Sequence, residues 1–242
     1  MQTAVRLVYP PRCISCGGLV DSDTGLCGTC WRDTPFISGL TCDLCGVPLP
    51  GDPDDTPGDD PIHCDDCLTT ARPWDRGRAA LLYKDNGRKL VLKLKHADRH
   101  DIAPPAAQWM ARSLADIDLS DALVVPIPLH FRRLLKRRFN QSALLAKNLA
   151  KHMDLDWCPD ALLRKRYTPV LDGKTKDDRF ATVLDSIKVN PVHSDKISGR
   201  PILLVDDVMT TGATFTAASE ALREAGARHL FTVALARVAK DT

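Results

Sequence analysis

The stretch Ile202-Leu203-Leu204-Val205-Asp206-Asp207-Val208-Met209-Thr210-Thr211-Gly212-Ala213-Thr214 decides how this chain folds. Four consecutive apolar residues after Pro201 predict a strand buried on both faces. Two carboxylates follow at its carboxyl end, then a short Thr/Gly turn, and residues 215–225 read as a helix stopped at Gly226. Open α/β sheets bind phosphorylated ligands beyond their strand ends at such a strand–turn–helix. The backbone N–H groups of Thr211, Gly212, Ala213 and Thr214 are expected to point into the turn, with Gly212 allowing close approach. The positive end of the helix behind them favours an anion. Asp206 and Asp207 then serve as acceptors for sugar hydroxyls, directly or through Mg²⁺. A generic strand end with merely solvated acids needs neither the acidic pair nor the Thr-Thr-Gly-x-Thr turn.

At 242 residues the chain is long enough for one α/β domain and a small appendage. Its 44% hydrophobic and 26% charged content is ordinary for a soluble globular protein. No apolar run reaches the length of a membrane span, and the first residues lack the apolar core of a signal peptide, so the expected location is cytoplasmic, without membrane insertion. The total charge of +2 hides an asymmetry: residues 1–72 hold eleven Asp against four Arg, a net of −7, which leaves +9 for the remainder. That contrast predicts a boundary between residues 1–72 and 73–242.

Eight of the nine cysteines fall in the acidic head, as Cys13-x-x-Cys16, Cys27-x-x-Cys30, Cys42-x-x-Cys45 and Cys64-x-x-Cys67. Two thiolates three residues apart on a tight turn can face one Zn²⁺, and two such turns complete a tetrahedron. Gly17 and Gly46 stand where those turns need glycine. Pairing the motifs in order gives a double zinc ribbon with two closed, structural Zn²⁺ sites, whose metal supplies the folding energy that two short hairpins lack. A disulfide scaffold would call for an export signal. His63, beside Cys64, reads as a bystander, and Cys158 as an ordinary partly buried thiol. Residues 50–61, acidic and rich in Pro and Gly, read as a mobile loop.

Residues 74–83 predict an edge strand, Asp85-Asn86-Gly87 a turn, and residues 88–99 a helix with Lys89, Lys93 and His96 on one flank and Lys95 beside them. A second helix is expected from Pro104 through Leu114. Residues 122–125 predict a second buried strand, ended by Pro126-Ile127-Pro128-Leu129-His130, where two prolines lock an irregular loop. Arg132, Arg133, Lys136, Arg137 and Arg138 follow, and then a helix capped by Asn140. These cations suit a highly charged leaving group or a polyanion such as DNA. A short strand is expected at 161–166, followed by a polar segment of weak periodicity at 167–190. Gly173-Lys174-Thr175 is not a P-loop, because the position of that motif's first glycine holds Thr168. Residues 230–236 predict the last strand. The fold class is α/β, a mostly parallel sheet with helices on both faces, preceded by the zinc head.

The central stretch resembles the PRPP-binding motif of type I phosphoribosyltransferases (PRPP, 5-phosphoribosyl-1-pyrophosphate). The whole chain resembles the ComF family of competence-associated proteins, on Tyr9-Pro10-Pro11-Arg12-Cys13, Leu26-Cys27, Asp75-Arg76-Gly77-Arg78-Ala79, Leu94-Lys95-His96, Val125-Pro126-Ile127-Pro128-Leu129-His130 and Arg138-Phe139-Asn140-Gln141. The resemblance implies Asp206 and Asp207 as catalytic acids. It implies PRPP or phosphate contacts at Thr210, Thr211, Gly212, Ala213, Thr214, Pro128, Leu129, His130, Lys95, Arg138 and Arg179, with Mg²⁺ accompanying PRPP. It also implies a link to DNA uptake and to incoming single strands, and it leaves open whether a base is transferred. The resemblance makes residues 167–190 a lid over the site, with Arg179 able to reach an anion, and this lid departs from the family pattern: Leu171 stands where an acceptor-contacting Gln is expected, and Thr182 where an Asn is expected. Two functions follow as expectations, a PRPP-binding phosphoribosyltransferase-like protein, or a non-catalytic module that senses a phosphorylated nucleotide or binds single-stranded DNA and recruits DNA-processing proteins through its ribbons.

Overall fold

The computed structural model describes residues 10–20, 25–51, 60–96, 99–164 and 186–239. In the head, each knuckle closes on its glycine: Gly17 N donates to Cys13 O and Gly46 N to Cys42 O, both at 2.8 Å, with φ of +79° and +65°. That left-handed conformation is why the turns carry glycine. Short helices α1 (Gly28–Arg32) and α2 (Asp65–Thr69) follow Cys27 and Cys64.

The sheet part runs β1 (Arg76–Leu82), α3 (Asp85–His96), α4 (Ala103–Ser113), β2 (Leu123–Pro126), α5 (Phe131–Arg137), α6 (Gln141–Met153), β3 (Leu162–Arg164), β4 (Ile187–Val189), α7 (Ser194–Ile197), β5 (Ile202–Met209), α8 (Ala213–Glu224) and β6 (Leu230–Arg237). Four strands form one parallel sheet in the order β1-β6-β5-β2, and β3 pairs antiparallel with β4 in a separate ribbon. The apolar runs that predicted β2, β5 and β6 are buried on both faces, as a fully covered parallel sheet requires. Leu90, Leu94, Met110 and Leu149 from α3, α4 and α6 pack with Val124, Leu203, Val205 and Val233. On the other face Phe215 and Leu222 of α8 join Trp74, Ile202, Leu204 and Ala234, together with Cys42 and Cys45 of the head. Among the described residues no helix is long and apolar enough to cross a membrane.

Two elements differ from the sequence reading. Residues 85–87 open α3 rather than forming a separate turn, because the Asn86 amide is spent on the head: it donates to Cys30 O at 3.2 Å and to Thr34 Oγ1 at 2.7 Å, and accepts from Ser15 Oγ. The cationic segment after His130 is helical, its first turn capped by His130, whose Nδ1 accepts from Arg132 N at 3.3 Å. Asn140 caps α6 as predicted, its side chain accepting from Ser142 N at 3.1 Å.

The head is seated on the sheet by main-chain contact. Trp74 Nε1 donates to Leu44 O, and Gly77 N donates to Asp43 O at 2.7 Å. Arg78 Nη2 lies 2.7 Å from Asp43 Oδ1 and 2.6 Å from Asp116 Oδ2, and Arg76 reaches the same two carboxylates. A Cβ on Gly77 would run into Leu44 O and Thr232 Oγ1, and one on Gly46 would sit 2.6 Å from Ala79 N. Gly77→Ala is therefore expected to lower stability by about 1–3 kcal/mol, read as a lower thermal midpoint; an unchanged midpoint would mean that head and sheet separate at no cost.

Candidate functional site

At the carboxyl end of β5 the two acids meet different partners. Asp206 accepts from Ser142 Oγ at 2.7 Å, across from the start of α6, and its own carboxylate also takes Asp207 N at 2.8 Å. Asp207, 7% exposed, pairs with Lys95 Nζ of α3 at 2.9 Å. Asp206 keeps some contact with solvent but lies deep among protein atoms. Burial first, and the neighbouring Asp207 second, push its carboxyl up to about 7, against the pull of Ser142 and Lys95. The pair thus offers one carboxylate balanced by a lysine and one poised to lose its proton near neutral pH.

The turn beyond them supplies donors. Gly212 caps α8 with φ +84°, and Ala213 N reaches Thr211 Oγ1 at 3.4 Å. The amides of Thr211, Gly212, Thr214 and Phe215 make no hydrogen bond among the described residues. Such a run of unpaired N–H groups at the positive end of a twelve-residue helix is an anion cradle. The space beside Gly212 is taken from behind: a Cβ there would lie 2.8 Å from Arg72 Nη1 and 3.3 Å from the Trp74 ring. The glycine therefore serves the positive φ and this clearance to the protein.

The loop after β2 lies against the same strand end. Ile127 N donates to Val205 O at 2.9 Å, and Asn140 Nδ2 donates to Ile127 O at 2.9 Å, so the loop spans β5 and the cap of α6. Pro128 and His130 are buried and Leu129 is half-buried. Arg138 ends α5 in a left-handed conformation (φ +65°) with its side chain exposed. The structure thus brings Asp206, Asp207, residues 210–214, Lys95 and the 128–130 loop to one end of the sheet. Arg179, with most of the lid, lies outside the described residues. Sequence reasoning missed Ser142, Arg72 and Arg237. A serine in the first turn of a helix reads as a cap, and the two arginines carried no pattern at all.

The eight head cysteines form two clusters, Cys13/Cys16/Cys27/Cys30 and Cys42/Cys45/Cys64/Cys67, each with its sulfurs within 4.8 Å of one another. The Sγ–Sγ separations of 3.7 Å for Cys16–Cys27 and Cys45–Cys64 match the edge of a zinc tetrahedron, roughly 3.8 Å for Zn–S bonds of about 2.3 Å. They are far too long for disulfides. Four thiols this close cannot all ionise unaided: Cys45 and Cys67 pull Cys42 down to about 3, while Cys42 and Cys45 push Cys67 far up. A divalent cation removes that conflict, so both clusters fit structural Zn²⁺. His63 belongs to neither cluster.

Comparison with known proteins agrees with both halves. The double zinc ribbon domain model matches residues 4–68 and the phosphoribosyl transferase domain model matches residues 140–242. The chain is 30% identical over 229 residues to the DNA utilization protein YhgH of Salmonella typhi, covering 91% of this chain and 94% of that one. It is 27% identical over 232 residues to Competence protein F of Haemophilus influenzae, covering 93% and 96%. It is 25% identical over 221 residues to Competence protein ComFC of Bacillus subtilis, covering 86% and 82%. A solved structure described as the allosteric regulatory enzyme of purine biosynthesis is a looser likeness, 17% identical with a TM-score of 0.39, covering 57% of this chain and 26% of that one.

The raised carboxyl has a thermodynamic consequence. A group held at about 7 against an ordinary 3.8 contributes stability that is complete below the lower value and is lost as pH rises through the higher one. Asp206→Asn is therefore expected to gain on the wild type between about pH 4 and about pH 8, by a few degrees in thermal midpoint. A constant difference across that range would show that Asp206 ionises freely.

Proposed function

The chain belongs to the ComF family, which joins a double zinc ribbon to a phosphoribosyltransferase domain, and we propose that it binds PRPP or a related phosphorylated ribose at the carboxyl end of β5. The observation that carries this reading is the convergence, within one turn of chain, of the acidic pair and the unpaired amides of Thr211, Gly212, Thr214 and Phe215. In this reading the amides hold the 5′-phosphate, while Asp206 and Asp207 accept from the ribose hydroxyls. Ser142 fixes the Asp206 carboxyl group, and Lys95 pairs with Asp207. The 128–130 loop and Arg138 face the pyrophosphate, where backbone donors and a nearby cation offset the leaving group's charge. Asp206 and Asp207 are also the hard oxygen donors that Mg²⁺ prefers, and bound with PRPP it would neutralise pyrophosphate charge. Residues 1–72 act as the docked zinc head and 73–242 as the ligand-binding part, in a cytoplasmic protein.

Calorimetry with PRPP and Mg²⁺ tests the proposal. Wild type is expected to bind, and Asp206→Ala/Asp207→Ala to weaken binding by roughly ten-fold or more, about 1.4 kcal/mol. Absence of binding by the wild type overturns it.

A second reading is supported by α5, which exposes Phe131 (59%) and Leu135 (74%) beside Arg137 and Arg138. Cations interleaved with an exposed ring suit single-stranded DNA, on which rings stack and arginines meet phosphates. The relatives' names, DNA utilization and competence proteins, point the same way for those proteins. The non-catalytic alternative would then couple this face to DNA-processing proteins recruited by the ribbons. Oligonucleotide affinity is expected to fall with salt. Arg137→Ala/Arg138→Ala should make the slope of log K against log salt shallower by about 0.7 for each phosphate that is no longer neutralised. No binding at low salt removes this reading.

A further inference from the structure

The three carbonyls immediately before Gly212 all face two arginines. Arg237, the last residue of β6 and only 4% exposed, donates Nη1 to Met209 O at 3.3 Å and to Thr210 O at 2.6 Å. Its Nη2 reaches Cys45 Sγ at 3.6 Å. Arg72 donates Nη1 to Thr211 O at 2.9 Å and lies 5.5 Å over the ring of Trp74, which packs in one cluster with Cys42, Cys45 and Cys67. Arg237 therefore touches the loop on one side and a sulfur of the second four-cysteine cluster on the other, and Arg72 joins the loop to the ring packed with that cluster.

Peptide planarity turns these contacts into an orientation. In a trans peptide the C=O of one residue and the N–H of the next point in opposite directions. Drawing Thr210 O inward turns Thr211 N–H outward, and drawing Thr211 O inward turns Gly212 N–H outward. These are two of the four unpaired amides of the cradle. A guanidinium as enclosed as that of Arg237 needs an anionic partner, because an unpaired buried charge is costly. Four thiolates closed on one Zn²⁺ carry a net charge of about −2 and supply that partner.

We propose that Arg72 and Arg237 are positioning residues that couple the second cysteine cluster to the anion loop, so that the loop presents its amides only while Cys42, Cys45, Cys64 and Cys67 are closed on their metal. The proposal rests on the phosphate-site reading for its ligand, but the coupling itself can be read without one.

The experiment uses the full chain and follows amide hydrogen exchange at Ala213 and Thr216, whose N–H groups bond to Thr211 Oγ1 and Gly212 O, together with zinc content, thermal midpoint, and calorimetric binding of PRPP with Mg²⁺. Arg72→Met is expected to keep zinc in both clusters and nearly the wild-type midpoint. Its exchange at Ala213 and Thr216 should quicken, and its PRPP affinity fall, each by roughly ten-fold. Cys67→Ser should give the same local signature with zinc lost from the second cluster only. Arg72→Lys should fall between, since an ammonium can hold the carbonyl but lacks the planar group that lies over Trp74. Leu149→Ala, a core cavity remote from the loop, should lower the midpoint without selective change at Ala213 and Thr216. Wild-type exchange in both Arg72→Met and Cys67→Ser overturns the proposal, as does the same local signature in Leu149→Ala. If wild-type protein ignores PRPP while the exchange coupling holds, the phosphate reading fails and the coupling stands.

Discussion

One carboxylate on a metal knuckle, Asp43, accepts from two guanidinium groups of the neighbouring strand, and the rest of the molecule is assembled around that grip. Arg76 and Arg78 each bridge Asp43 to Asp116, which follows α4, so the head, β1 and the helical layer meet in a single charge network. Burial and pairing act together there: desolvation works to raise the Asp43 and Asp116 carboxyls, and the arginines more than reverse it, leaving both below the usual carboxylate range. The network needs backbones in direct contact, and the glycines at 46 and 77 are what permits it. Asp75, the preceding residue, fixes the other side of the strand by accepting from Leu230 N at 2.9 Å. The segment Asp75-Arg76-Gly77-Arg78 is thus a docking device, with its residues turned to different neighbours.

The head and the sheet consequently share one hydrophobic layer. Two sulfur ligands of the second cluster, Cys42 and Cys45, pack in the same core as Phe215 and Leu204. The first cluster is tied instead to α3 and the segment after it: Lys93 Nζ donates to Ser15 O, and Arg99 Nη2 reaches Ile14 O at 3.3 Å. Since α3 also carries Lys95, each metal knuckle stands behind a different wall of the candidate site. Of the charge contrast between head and remainder, read from composition as a boundary, Asp43 with Arg76 and Arg78 is the part spent on holding them together among the described residues.

What the sequence revealed and what it withheld divide along physical lines. The strand, acids and turn at 202–214 were legible because their meaning is local: an apolar run, two carboxylates and a glycine are adjacent in the chain. The cysteine spacing was legible for the same reason. Ser142, Arg72 and Arg237 act on groups 64, 139 and 27 residues away, and no spacing rule links such positions. Asn86 reads as part of a turn in isolation, yet its amide is spent on Cys30 and Thr34, at separations of 56 and 52 residues. The helix at 131–137 was hidden by the prolines before it and by a density of like charges that an isolated helix would resist. Its start is set by the His130 cap, a residue type rarely considered in that role.

Both rims of the four-stranded sheet are closed. Beside β1, Ile37 N donates to Ala80 O and Leu82 N to Pro35 O, each at 2.9 Å; beside β2, Val124 N donates to Asp156 O at 2.9 Å and Cys158 N to Val124 O at 3.0 Å. A parallel sheet with unpaired rims invites a neighbouring molecule to add a strand. Here the first rim is covered by the stretch of head that joins its two metal knuckles. That stretch is thus a protective selvage: were it to lift, Ala80 O and Leu82 N of β1 would be left for a foreign strand to claim.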